Sequence, residues 1–192
     1  GIRGFSSDRY QRYKTELGGL LDQCAAILLL GKGEYNLFLK EFPQYSDRIK
    51  WWPFGVDTEF WTPGNYLNSR LDTGYCLFVG NDPSRDYDLL LNVANSCPNQ
   101  RFIFVTSKIS LELCPKNVEL MKGHLWKSPI SDCQLRELYR NASLVLLPLK
   151  DTVQPSGQSV ALQAMACGVP VIITKTSGLW EDEVMQDQEN CL

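Results

Sequence analysis

Among its 192 residues the chain has one histidine, His124. A lone imidazole offers no Ser/His/Asp or Cys/His pairing to argue from, and a structural role is its simplest account. Long apolar runs are also missing. Runs such as residues 25–30 and 144–147 fall far short of the roughly 20 residues that cross a bilayer. There is no excess of positive charge either. Nineteen Lys and Arg stand against 22 Asp and Glu, a net of −3 with both signs mixed, so a nucleic-acid partner has no electrostatic footprint. The seven cysteines (24, 76, 97, 114, 133, 167 and 191) are odd in number and contain no C-x-x-C spacing. That argues against a zinc site or a disulfide framework and for a reducing compartment. Neither G-x-G-x-x-G nor G-x-x-x-x-G-K-[ST] occurs, which leaves a nicotinamide dehydrogenase or a P-loop enzyme poorly supported. No repeat or signal-peptide pattern is visible. The chain begins at Gly1 and stops at Leu192 as an apolar strand starts, which leads us to expect a piece of a longer protein.

What is present is alternation. The apolar fraction of 44% suffices for a real core. Helical spacing of apolar residues predicts helices over 7–22, 34–42, 87–94, 131–139 and 157–166. Ser7 is placed to cap the first. Ser131 and Gln134 form a capping box on the fourth, and Gly168 stops the fifth. Apolar or β-branched runs predict strands over 25–30, 49–52, 75–79, 101–106, 118–121, 144–147 and 169–173. The run 25–30 reads as a strand covered on both faces. Residues 53–65 are rich in turn formers and read as a linker. Strands alternating with helices imply an α/β fold with a parallel sheet and helices on both faces.

In such sheets ligands bind at the carboxyl ends of the strands, so the loops there carry the argument. The loop 148–157 ends in Pro155-Ser156-Gly157 and opens a helix whose N-terminus offers unpaired N–H groups and partial positive charge. Gly157 lets a ligand approach the backbone, while Ser156 and Ser159 supply hydroxyls. These make either a diphosphate cradle or, more plainly, a helix capped by Ser156. The loop 80–86 holds Arg85. That residue is either a phosphate-neutralising cation or half of a surface Arg–Asp pair. After the last strand, Glu181 could accept bonds from sugar hydroxyls or complement the dipole of a following helix. Trp126 could stack on a base.

The order of these loops carries more than each alone. "FVGNDPSRDYDLLL", "LYRNASLVLLPLKDTVQPSGQSVALQAMACGVPVI" and "TSGLWEDEV" resemble the retaining glycosyltransferases of the group-one (family four) type, which have the GT-B fold. "IKWWPFGVDTEFWTP" resembles their passage from first domain to second. The resemblance covers about residues 24–192.

It implies two Rossmann-like domains facing a cleft, with the donor mainly in the second. Residues 1–63 would be the tail of the acceptor-side domain and linker, and 64–192 most of the nucleotide-sugar-binding domain. It implies Arg85 and Glu181 at the reacting end. It also implies donor contacts at Gly80, Asn81, Arg85, Leu125, Trp126, Ser156, Gly157, Gln158, Ser159 and Gln163. No metal and no cofactor are expected, only a nucleotide sugar as substrate. The acceptor would be a saccharide, a lipid or a small molecule, and the expected location is the cytoplasm or the inner face of a membrane, reached through the first domain.

This sequence departs from the pattern in five places. Asn81 replaces the strand-end Arg, Arg85 replaces the Lys that contacts the donor diphosphate, Pro155 replaces the first carboxylate of the Glu-x7-Glu pair, Gln163 replaces the second, and Trp180 replaces the Pro before Glu181. Two alternatives therefore remain open: a sugar-nucleotide epimerase, which the loss of the Glu pair argues against, and a degenerate domain that binds without transferring.

Overall fold

The computed structural model describes residues 8–64, 74–122, 130–179 and 185. The chain divides into two compact units. One comprises Gly1–Phe54, Asp151–Pro155 and Thr176–Leu192, and the other Gly55–Lys150 and Ser156–Lys175.

The larger unit is a five-stranded, wholly parallel sheet. Its strands are β3 (Tyr75–Val79), β4 (Phe102–Val105), β5 (Val118–Met121), β6 (Ala142–Leu147) and β7 (Val171–Ile173), in the order β5-β4-β3-β6-β7. The helices between them are α3 (Tyr87–Ser96), α4 (Asp132–Asn141) and α5 (Gln158–Ala166). β3 and β4 are buried almost throughout, as their continuous apolar runs require of strands covered on both faces. Side chains alternate across the sheet. Cys76, Phe78, Phe102 and Phe104 pack with Leu90 and Ala94 of α3. Leu77 points the opposite way, and α4 and α5 lie against β3, β6 and β7. Phe78 meets Tyr87 and Phe104 edge-on at 5.9 Å. Each such buried apolar side chain contributes roughly 1.5–3 kcal/mol.

Local signals fix the helix ends. Ser131 and Gln134 form the expected capping box on α4, and Asp86 caps α3 through Leu89 N. Gly168, with φ 71°, turns the chain after α5 into β7. The preceding stretch is strapped to α4. Trp61 stacks edge-on against Tyr139 at 5.8 Å. The Arg140 Nε donates to the Thr62 carbonyl at 2.8 Å, and Arg136 Nη1 to the Phe60 carbonyl at 3.2 Å.

The smaller unit holds α1 (Asp8–Leu21), β1 (Ile27–Leu29), α2 (Lys32–Glu41) and β2 (Ile49–Trp51), with the two strands paired in parallel. Phe38, Phe42, Tyr45 and Ile49 form its core with Ile27 and Leu29. Leu28 between them is 55% exposed. The run expected to be covered on both faces is thus covered on one, because β1 has its packing partners on a single side of a two-stranded sheet. The end of α1 is satisfied from a distance. Arg48 Nη1 donates to the carbonyls of Leu21 and Cys24 at 3.2 and 2.8 Å. Two later segments cross within this unit. A Cβ on Gly178 would lie 2.5 Å from the Val153 carbonyl, and one on Gly33 would lie 2.7 Å from the Ser177 oxygen.

Candidate functional site

Strand order reverses at the β3–β6 boundary: β4 and β5 lie on one side of β3, and β6 and β7 on the other. Loops diverge at such a switch point and leave a crevice at the carboxyl ends. Here the two loops are stitched together. Asp86 N donates to the Pro148 carbonyl at 2.9 Å, and Lys150 N to the Ser84 carbonyl at 2.8 Å. Between them Arg85 and Leu149 form an antiparallel bridge.

That bridge holds Arg85 inward, where it is only 4% exposed. Its Nη1 donates to Ser156 Oγ at 2.7 Å, while its Nε is buried with no partner. Two glycines make the slot. A Cβ on Gly80 would lie 2.5 Å from Nε, and one on Gly157 would lie 3.1 Å from Nη1. No ion pair among the described residues includes Arg85, and the neighbouring Asp86 spends its carboxylate on the α3 cap. The surface Arg–Asp pair is therefore ruled out. Burial holds the guanidinium below its usual range, with Asp82, Tyr87 and Tyr139 acting against that shift. An arginine still stays charged there.

Ser156 does not cap α5. The N-cap is Gly157, at φ 87° and ψ 0°, and it makes no side-chain cap bond. The left-handed backbone that only glycine takes easily sets the helix start one residue later, and Ser156 Oγ turns to Arg85 instead. In that bond the hydroxyl accepts, so its own proton is left to donate. The first turn of α5 contains no acidic residue. The result is a buried cation beside the positive end of a helix dipole. Like charges held together in a poorly solvated place call for an anion.

The other expected contacts fall in different places. Gln158 is buried and Ser159 half-buried, both in the first turn of α5. Asn81 turns to β4: its Oδ1 accepts from Ser107 N at 2.7 Å, Ser107 Oγ at 2.9 Å and Thr106 Oγ1 at 3.1 Å. Gln163 lies farther along α5, where its Oε1 accepts from the Tyr139 hydroxyl at 3.2 Å. Leu125, Trp126 and His124 lie outside the described residues, as do Trp180 and Glu181. The start of that last loop is in the smaller unit, where Asp151 Oδ1 accepts from Ser177 N at 2.8 Å and Ser177 Oγ at 3.0 Å. Those bonds, the backbone one first, hold the Asp151 carboxyl below its usual range. The structure thus brings together Gly80, Arg85, Ser156 and Gly157, and it commits the Asn81 carbonyl to the neighbouring seam. Sequence reasoning missed Tyr139, Thr106 and Ser107. Their partners stand 24 to 26 residues away, and no local pattern marks them.

A family profile described as "Glycosyl transferases group 1" matches residues 73–192. A D-inositol 3-phosphate glycosyltransferase of Segniliparus rotundus is 28% identical over 177 residues, 82% of this chain and 38% of that protein. One from Mycobacterium sp. (strain JLS) is 31% identical over 140 residues, 65% of this chain and 31% of its own length. The chain therefore spans only 31–38% of the length of these relatives. Among solved structures, sucrose-phosphate synthase of Thermosynechococcus elongatus matches with a TM-score of 0.65 at 20% identity, over 91% of this chain and 47% of that one. HepE of Anabaena, solved in complex with UDP-glucose, matches with a TM-score of 0.65 at 15% identity, over 89% and 50%. At these identities the likeness concerns the fold, the Rossmann-like parallel sheet described above.

Proposed function

We propose that this chain, which belongs to the glycosyl transferases group 1 family, supplies the donor-binding half of a GT-B glycosyltransferase that moves a sugar from a nucleoside diphosphate to an acceptor with retention. The observation that carries the reading is Arg85, a buried cation with an unpaired Nε at the switch point of the sheet. A diphosphate seated there meets the Arg85 guanidinium, the Ser156 proton and the first N–H groups of α5. Negative charge grows on the leaving diphosphate as the bond to the sugar breaks. Donors fixed before the reaction lower that barrier. Gly80 and Gly157 leave room for the Arg85 guanidinium beside the phosphates, and Ser159 adds a hydroxyl. Leu125 and Trp126 are assigned to the base, and Glu181 to the sugar hydroxyls. The acceptor (a saccharide, a lipid or a small molecule) belongs to the other half, with residues 1–63 as its tail and 64–192 as the donor domain. The reaction takes place in the cytoplasm or at the inner membrane face.

Calorimetry of the protein with UDP-, GDP- and ADP-sugars tests the reading. Binding of one of them at submillimolar concentration is expected, and silence toward all three at millimolar ligand would sink it. NMR of the product then reads the anomeric configuration, and inversion would overturn the stated stereochemistry.

One observation favours a second reading, a domain that binds without transferring. The Asn81 side-chain carbonyl is already committed to Thr106 and Ser107, so the position of the family's strand-end Arg holds no cation. Transfer by the intact protein would rule that reading out, and equal transfer rates in wild type and Arg85→Ala would remove Arg85 from the chemistry.

A further inference from the structure

Gly31 stands between β1 and α2. It is buried, and its backbone is ordinary extended chain, at φ −122° and ψ 144°. A glycine is needed there for room, not for conformation. A Cβ at this position would lie 2.9 Å from Pro155 Cγ, 3.0 Å from its Cβ and 3.1 Å from its Cδ. Carbon atoms in contact rest about 3.5–4.0 Å apart, so the proline ring already occupies the place of a side chain on residue 31. A pyrrolidine ring is stiff and cannot swing aside as a long chain would.

The two sides of this contact differ in firmness. The Leu29 carbonyl accepts from Trp52 N at 2.8 Å and the Gly31 carbonyl from Tyr35 N at 2.9 Å, while Ile27, Leu29 and Phe38 lie in the core of the smaller unit. Pro155 ends a loop in which Gln154 N bonds to Thr152 Oγ1 at 3.1 Å, within the loop itself, and a proline has no N–H with which to anchor. A push between the two therefore moves the proline. The next residue in the chain is Ser156, only 7% exposed, whose Oγ accepts from Arg85 Nη1 at 2.7 Å. One planar peptide joins the two residues and keeps their Cα atoms about 3.8 Å apart. A displacement of Pro155 by a few tenths of an ångström is thus passed on to a short hydrogen bond that depends on distance and angle.

We propose that Gly31 is a positioning residue for the anion slot. By leaving room for the Pro155 ring, it sets where Ser156 presents its hydroxyl to Arg85 and to a diphosphate. This rests on the nucleotide-donor reading above.

The test is calorimetry of the protein with inorganic pyrophosphate and with UDP, GDP and ADP. Gly31→Ala should weaken pyrophosphate and the preferred nucleoside diphosphate by the same factor, about tenfold, the cost of forcing one methyl into a filled place. Pro155→Gly removes the ring from the other side. It should weaken both ligands about threefold, because Ser156 then follows a freely turning residue, and it keeps the idea testable if Gly31→Ala folds poorly. Adding Gly31→Ala to Pro155→Gly should cost less than about a further twofold, since the methyl then has space. A purely structural fault at position 31 would not be relieved in this way. Wild-type affinity in folded Gly31→Ala or in Pro155→Gly, or a loss in Gly31→Ala that Pro155→Gly does not relieve, overturns the role of Gly31 alone. No binding of pyrophosphate or of any nucleoside diphosphate by folded wild type overturns the donor reading, and this inference with it.

Discussion

Two polar seams flank β3 at its carboxyl end, and they differ in one respect. On the β4 side, Asn81 Oδ1 accepts three hydrogen bonds, from Ser107 N, Ser107 Oγ and Thr106 Oγ1. On the β6 side, the Arg85 guanidinium has one bond to Ser156 and a buried Nε with nothing to bond. Both seams follow the same strand, four residues apart. The β4 seam is closed and holds the fold together. The β6 seam is incomplete, and an anion would complete it. On the donor reading, polarity left unsatisfied in a buried place separates the proposed binding site from a structural joint better than residue type does.

The sharpest way to break this contrast is Arg85→Met. Removing an unpaired buried charge in favour of an apolar side chain of similar length should leave apo stability unchanged or raised by about 1–4 kcal/mol. Nucleoside diphosphate affinity should fall about 10- to 100-fold, the worth of charge-assisted bonds. Thermal melts and calorimetry on one sample check both. A large loss of stability would make Arg85–Ser156 a structural joint after all.

Asn81→Ala should do the reverse. Ser107 N–H and the two hydroxyls lose their acceptor, which costs about 1–3 kcal/mol in denaturant unfolding, while nucleotide affinity changes by less than about twofold. An affinity loss comparable to that of Arg85→Met would erase the distinction between the seams.

A smaller effect is expected from Gly80→Ala. The new methyl occupies the space of Arg85 Nε and pushes the flexible end of that side chain aside. Affinity should drop about tenfold at a stability cost of about 1 kcal/mol. Full affinity in this variant would show that the guanidinium position is unimportant.

The smallest effect lies outside both seams, at Asp151. Its carboxyl is held below the usual range by the Ser177 backbone N–H and hydroxyl. A depressed folded value means the contribution is fully present above the unfolded carboxyl pKa and is lost as pH falls through the folded one. The group is exposed, so the slope should be shallow. Chemical shifts of the Ser177 amide followed downward from pH 6 should show this loss in wild type and not in Asp151→Asn.

Much of the scaffold could be read from the residues. The buried runs at 75–79 and 102–105, the capping box at Ser131 and Gln134 and the stop at Gly168 are local signals, and the chain obeys them. Arg85 was legible as a candidate but not as a buried one, because a charged residue in a turn ordinarily reads as exposed. Ser156 read as a helix cap, and the left-handed backbone at Gly157 took that position from it. The partners of Asn81 and Gln163 come from other elements, so only folding brings them together. The exposed face of β1 could not be read either, since an apolar triplet does not say how many of its sides will find a neighbour.

The glycine-walled slot around Arg85 also bears on how the protein behaves in a test tube. On the donor reading proposed above, a positive charge so placed favours multivalent oxyanions over monovalent ions. Phosphate or sulfate in a buffer becomes a competitor for the nucleotide and, by mass action, a stabiliser of the fold. Chloride solutions, whose monovalent ion offers no fork of oxygens to a guanidinium, are the ones in which affinities for this site are best compared.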